Sequence, residues 1–346
     1  MKRAVTILII AALCIAGALM YLFYDPQAGL SLLRLFGAGG TVTQTANSSP
    51  VEGGYILISL QKPGDSHYSL YHFNPSTSRF SRSVTYLLTP RSSAADDAIV
   101  GISAPKNATA GTSLGVWSIG RDDVTPKLLY TFPTSDQPWF PALSTDGLVV
   151  TDVLSADNVP ADGAAAIPPN SWNIILVGTS SSDTYTIAKG LYPQWGPGDD
   201  LLYLANDGLH EYSLSTGSDT MAWKMLGGMT SSLMSFAVSR DGTRIAWTDP
   251  SHGVLVLAVV ESWDPFFVDE IRSVPITALW PVFSPSGNSV AVEQVDNLQS
   301  TTSTSSGNPR ISLVGFDSGD ITQLQSLAGF EQSSIILSDW NSAMKL

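Results

Sequence analysis

Cysteine is almost missing from this 346-residue chain: Cys14 stands alone, so no disulfide can form within it. Stability must come from packing instead. Histidine is nearly as scarce. The four histidines, His67, His72, His210 and His252, are scattered singly, and no Cys/His spacing suits a metal. The acidic pairs Asp96-Asp97, Asp122-Asp123 and Asp199-Asp200 fall in expected turns and lack the alternating oxygen ligands of a calcium loop. No glycine-rich loop opens a helical pattern, so no metal and no cofactor is expected. Charge is thin too, at 14% of residues against the ~25% of ordinary soluble domains. Acid outweighs base by 30 to 17, and no basic cluster follows Arg3, which excludes nucleic acid as a partner. What the chain does have is 44% hydrophobic residues, 29 glycines and 21 prolines. That mixture suits a large core of short strands joined by tight turns.

One apolar run is long. Ala4 to Tyr24 carries no charge and follows Lys2 and Arg3. As a helix rising ~1.5 Å per residue it would span a bilayer core, with Tyr21, Phe23 and Tyr24 at the interface. The preceding positive charges predict a cytoplasmic N-terminus and an extracytoplasmic remainder. Ala16-Gly17-Ala18 offers a rival, cleavage near Ala18 and release as a secreted or periplasmic chain. Residues 25–52 read as a juxtamembrane stalk or linker, and residues 53–346 as the folded domain.

That domain repeats a phrase. An aromatic or apolar run meets a Ser/Pro/Asp/Gly turn and then a strand-like run. Pro141-Ala-Leu-Ser-Thr-Asp-Gly147, Pro193-Gln-Trp-Gly-Pro-Gly-Asp-Asp200, Phe236-Ala-Val-Ser-Arg-Asp-Gly-Thr-Arg244 and Pro281-Val-Phe-Ser-Pro-Ser-Gly-Asn288 are the clear copies. A looser one begins at Tyr86. All-β repeats at this spacing predict a β-propeller, six-bladed by strand count, with seven as the alternative. The first blade lacks an innermost strand, and Ser334-Ile-Ile-Leu-Ser-Asp-Trp340 has no blade of its own. Pairing the two would close the ring and remove its open edges. The phrase at Pro281 to Gly287, with its cousins, resembles the TolB-like propeller repeat from about Gly53 to Trp340. That resemblance implies an exported six-bladed interaction scaffold. The chain departs from TolB in having no separate N-terminal α/β domain.

Catalytic motifs are weak. Gly111-Thr-Ser-Leu-Gly115 matches a nucleophile pattern, but no helix follows Ser113; Ser103-Ala-Pro-Lys106 fails on the same ground. The residues beside each repeat's proline are more suggestive: Trp139, Phe140, Tyr192 and Trp280. A propeller sets these positions at one mouth of its channel, where they would line a ligand cup or fill space between blades. Long loops at 104–113, 156–171 and 296–309 share that mouth. The expectation is a membrane-anchored, non-enzymatic scaffold binding a protein or glycan ligand outside the cytoplasm. The alternative is a propeller hydrolase or lyase acting on envelope peptide or glycan. Two titratable side chains close together at the channel mouth would favour the enzyme.

Overall fold

The computed structural model describes residues 53–342 apart from 66–67, 84–86, 94–97, 104–112, 121–124, 156–166, 179–182, 198–199, 225–234, 250–251, 296–309 and 325–332. The expected anchor (4–24), the stalk (25–52), Cys14 and most of the three long loops lie outside these residues. Among the described residues, no helix is long and apolar enough to cross a membrane.

Six four-stranded antiparallel sheets make up the fold. The first contains β1 (Tyr55–Gln61), β2 (Ser69–Asn74) and β3 (Arg79–Arg82). The second runs outward through β4 (Leu88–Ser92), β5 (Ala98–Ser103), β6 (Gly115–Gly120) and β7 (Lys127–Thr131). The third holds β8 (Gln137–Leu143), β9 (Val149–Leu154), β10 (Trp172–Val177) and β11 (Thr184–Lys189). Next come β12 (Leu191–Trp195), β13 (Asp200–Leu204), β14 (Gly208–Ser213) and β15 (Ser218–Lys224). The fifth has β16 (Phe236–Val238), β17 (Arg244–Asp249), β18 (Val254–Trp263) and β19 (Phe266–Val274). The sixth has β20 (Ala278–Phe283), β21 (Ser289–Gln294), β22 (Arg310–Gly315) and β23 (Ile321–Gln323). The last strand, β24 (Ser334–Asn341), returns to the first sheet as its innermost member.

This is a six-bladed β-propeller. Its closure is the expected one: Ile58 pairs with Leu337, Ser59 with Ile336 and Leu60 with Ile335. Burial explains the strand composition. Both faces of a blade pack against neighbours, so second strands need apolar side chains on both sides and lose alternation. All of β9 is buried, as are the central four residues of β5 and of β21. Outermost strands such as β3, β7 and β11 contain no buried residue.

The repeated Ser-x-x-Gly phrase is the turn from innermost to second strand. Gly147, Gly242 and Gly287 donate to the Ser144, Ser239 and Ser284 carbonyls and sit at φ of 82°, 70° and 75°, where a side chain would strain the backbone. Each serine hydroxyl takes a second N–H, from Leu148, Arg244 and Ser289, at 2.8, 2.9 and 3.1 Å. In the fourth blade Gly196 stands where the serine would be and donates to the Asp200 carbonyl. Turn chemistry thus fixes register in blade after blade.

Candidate active site in the propeller channel

Five innermost strands carry a bulge, β24 at Ser338 and four others in a common pattern. Two residues oppose one on the neighbouring strand at Thr89-Pro90 across from Gly101, at Trp139-Phe140 across from Asp152, at Tyr192-Pro193 across from Tyr203, and at Trp280-Pro281 across from Val292. Thr89, Tyr192 and Trp280 have φ of 47°, 56° and 53°, a left-handed conformation costing on the order of 1 kcal/mol or more for a residue with a side chain. Bulging takes backbone N–H groups out of the ladder, and buried donors need acceptors. Side chains supply them. Ser59 Oγ accepts from Thr89 N at 3.0 Å and Ser235 Oγ from Trp280 N at 3.1 Å. Asp152 serves two blades, with Oδ1 2.6 Å from Phe140 N and Oδ2 3.0 Å from Tyr192 N.

The bulges turn aromatic rings towards one another. Phe140 stacks on Trp280 with centroids 5.4 Å apart, and Tyr192 meets both edge-on at 4.8 and 5.7 Å. These rings come from the third, fourth and sixth blades. All three are buried, so they fill the space where they meet and do not line an open cup. Trp139 is only partly buried; it meets Phe140 at 6.0 Å and the Tyr68 ring at 6.4 Å. The four aromatic candidates from the sequence are therefore brought together. Tyr68, from the first blade, joins them unanticipated.

Titratable groups adjoin these rings. Towards the end where innermost strands begin, Glu293 on β21 is buried and accepts a hydrogen bond from the Trp280 indole. Burial pushes its carboxyl up to about 8, against the pull of that bond. The register shows how unusual this residue is. Glu293 pairs with Leu279 just before the bulge; the corresponding residues in the second, third and fourth blades are Ile102, Val153 and Leu204. Beside it the Tyr68 hydroxyl lies 3.2 Å from Ser334 Oγ, and its pKa is raised by burial and by Glu293. Tyr68 and Ser334 keep some exposure.

Deeper along the strands, Asp152 is fully buried. Desolvation pushes it up to about 7, opposed by the Phe140 and Tyr192 N–H groups and by Arg91. The Tyr192 phenol is driven well above its usual range by burial and by Asp152. Burial lowers Arg91, while Asp339 and Asp152 pull the other way. Asp339 accepts from Ser92 N at 2.7 Å and Trp340 N at 2.8 Å.

Chemically, an acid neutral at neutral pH is a proton donor in waiting, and a tyrosine beside it offers a hydroxyl to substrate. Other sequence candidates do not assemble. His210 is held between Asp207 (2.9 Å) and Asp219 (3.0 Å) in the fourth blade, and His252 by Asp249 at 2.6 Å in the fifth. His72 is buried within β2. Ser113 precedes β6 and no helix follows it. His67, Lys106, Asp96-Asp97, Asp122-Asp123 and Asp199 lie outside the described residues. Among the described residues, no group of three His, Cys, Asp or Glu side chains has a metal-holding arrangement.

The sequence did hold a signal for the missed residues. Asp152 and Glu293 are lone carboxylates in mostly apolar strand runs, Val149 to Leu154 and Ser289 to Gln294, where burial is expected and charge is not.

No family model matches the chain, and no curated protein matches it. Solved structures do. A chain of a nidogen/laminin complex aligns with a TM-score of 0.53 at 8% identity, covering 83% of this chain and 100% of that one. An oligogalacturonate lyase from Vibrio parahaemolyticus gives 0.48 at 10% identity over 81% of each chain. A putative TolB from Agrobacterium tumefaciens gives 0.47 at 15% identity over 82% and 99%. At such identities the likeness concerns fold alone. A putative 6-phosphogluconolactonase and a luciferin-regenerating enzyme are also among the matches, with TM-scores of 0.46 and 0.42. The non-enzymatic scaffold expected from sequence is not supported, because the absence of paired titratable groups on which it rested is corrected by Glu293 with Tyr68 and by Asp152 with Arg91.

Proposed function

We propose that the chain is a propeller-fold hydrolase or lyase acting on peptide or glycan of the cell envelope, with Glu293 as its general acid. In this reading residues 4–24 anchor the chain with its N-terminus cytoplasmic, and the domain from residue 53 works outside. Trp139 and Tyr68, the accessible members of the cluster, meet the substrate; Phe140, Tyr192 and Trp280 form the floor beneath. Glu293 protonates the leaving oxygen or nitrogen as its bond to carbon breaks. In hydrolysis water supplies a hydroxyl to that carbon and its proton returns to the Glu293 carboxylate; in elimination that carboxylate takes the proton of a neighbouring C–H instead.

The observation that carries this reading is Glu293 itself. A buried carboxyl raised to about 8, at a register position three other blades fill with aliphatic residues, is not required by the fold. Stability would be better served by leucine there. The test is turnover of envelope peptides and glycans by the purified chain and by Glu293→Gln. Loss of ~100-fold or more in kcat with folding intact is expected, as is wild-type activity that falls as pH rises through about 8. Failure to process any of these substrates, or full activity in Glu293→Gln, would overturn it.

A further inference from the structure

Given Glu293 as general acid, we infer that the bond it breaks is an amide, and that the Tyr68 hydroxyl is a second catalytic group that donates to the substrate's carbonyl oxygen, with Ser334 as the residue that aims it. This narrows the proposed function, on which it rests, to hydrolysis of peptides. The first blade presents Tyr68 in a defined place. Gln61 pairs with Ser334, the first residue of β24, and Leu60 pairs with Ser69. Tyr68 therefore enters the same row as Gln61 and Ser334, at the end where innermost strands begin. Its side chain reaches inward across β1, and the hydroxyl stops 3.2 Å from Ser334 Oγ. From the third blade, the Trp139 ring meets the phenol ring at 88°. Tyr68 and Trp139 pack in one cluster with Trp280, whose indole donates to Glu293. Glu293 in turn acts electrostatically on the Tyr68 hydroxyl.

The direction of the hydroxyl decides what Tyr68 can do. Burial raises the phenol pKa and the Ser334 bond lowers it, the sign of a serine that donates to the tyrosine oxygen. The phenol proton can then point at substrate. Burial also keeps that proton in place, so Tyr68 is a donor and not a base. Next to it stands a carboxyl that is itself protonated at neutral pH. Two neutral donors suit one carbon that carries both a carbonyl oxygen and a leaving nitrogen. They do not suit a glycosidic bond, whose hydrolysis ordinarily takes a second carboxylate across from the first. Among the described residues, no carboxylate figures in the groups that shift Glu293, and Asp152 is spent on the Phe140 and Tyr192 N–H groups. In the reaction, water adds to the carbonyl carbon while Tyr68 donates to the oxygen that gains charge. Glu293 gives its proton to nitrogen as the C–N bond breaks, and a proton from the added water returns to Glu293.

Hydrolysis of an amide-capped peptide library and of linear N-acetylhexosamine oligosaccharides by the whole chain, measured side by side, tests the inference. Cleavage of peptides and not of oligosaccharides is expected. Tyr68→Phe should lower kcat on the cleaved peptide ~100-fold with KM little changed. Ser334→Ala should lower it ~3–10-fold, and Ser334→Thr should keep it. Ser334→Ala added to Tyr68→Phe should cost nothing further, since the serine acts through the tyrosine. If Tyr68→Phe does not fold, Ser334→Ala against Ser334→Thr carries the test alone. Oligosaccharide cleavage that depends on Glu293 would overturn the amide and leave the general acid in place, whereas cleavage of neither substrate would overturn both. Undiminished kcat in Tyr68→Phe or Ser334→Ala, or equal losses in Ser334→Ala and Ser334→Thr, would overturn the part given to the Tyr68 hydroxyl.

Discussion

The third and sixth blades each bury one carboxylate on the second strand, and the two have different work. Asp152 faces the bulge of β8, and both its oxygens are spent on backbone N–H groups that bulging released. Glu293 pairs one position before the bulge of β20; in its own blade the freed Trp280 N–H goes to Ser235 from the fifth blade. That leaves Glu293 with an indole donor and no backbone duty. A buried acid that the backbone needs is part of the scaffold. One that it does not need is a burden on stability, and burdens of that kind concentrate where chemistry occurs.

Truncation separates the two most sharply. Asp152→Ala leaves the Phe140 and Tyr192 N–H groups without acceptors and removes one of the two carboxylates that act on Arg91, so a loss of ~3–5 kcal/mol is expected in urea unfolding. Glu293→Leu should go the other way. It installs what Ile102, Val153 and Leu204 already provide, and a gain of ~1–3 kcal/mol at pH 8 is expected together with lost activity. If both substitutions destabilise alike, the distinction fails.

pH resolves the pair further. Both acids are raised in the folded state, so folding takes up protons that the unfolded chain has released. Stability from each is therefore highest below its ordinary pKa and falls as pH rises to its folded value. For Glu293 the window runs from 4.5 to about 8, and for Asp152 from 3.8 to about 7. At ~1.4 kcal/mol per unit, the Glu293 decline is on the order of a few kcal/mol. Chemical unfolding across pH should show Glu293→Leu losing less stability than wild type above pH 5, with its remaining decline ending near 7. The smallest effect is expected from Trp280→Phe. Removing the indole N–H takes away the one bond favouring ionised Glu293, so the alkaline limb of the activity profile should move up by ~1 unit or less.

Much of the fold is readable before any coordinates because its determinants are local. Ser-x-x-Gly specifies a turn through a left-handed glycine and a hydroxyl acceptor, and the apolar runs that follow need no distant partner to become strands. The closing strand was legible from arithmetic, since Ile335 to Leu337 had no blade and Ile56 to Ile58 had no inner neighbour. The aromatic convergence was half legible. Phe140, Tyr192 and Trp280 recur beside prolines, but their burial as a plug depends on bulges in three blades, and bulges are a property of register. Glu293, Asp152, Tyr68 and Arg91 were not found because they come together only across blades. Their sequence neighbours carry no motif, and their pairing runs across the channel, not along the chain.

The central claim is that Glu293 is held protonated at neutral pH. Carbon-13 NMR of chain labelled at the glutamate side-chain carboxyl, with Glu293→Gln identifying the resonance, tests it directly. A titration midpoint near 8 is the predicted result. A midpoint near 4.5 would mean an ionised, solvated Glu293 and would contradict the account.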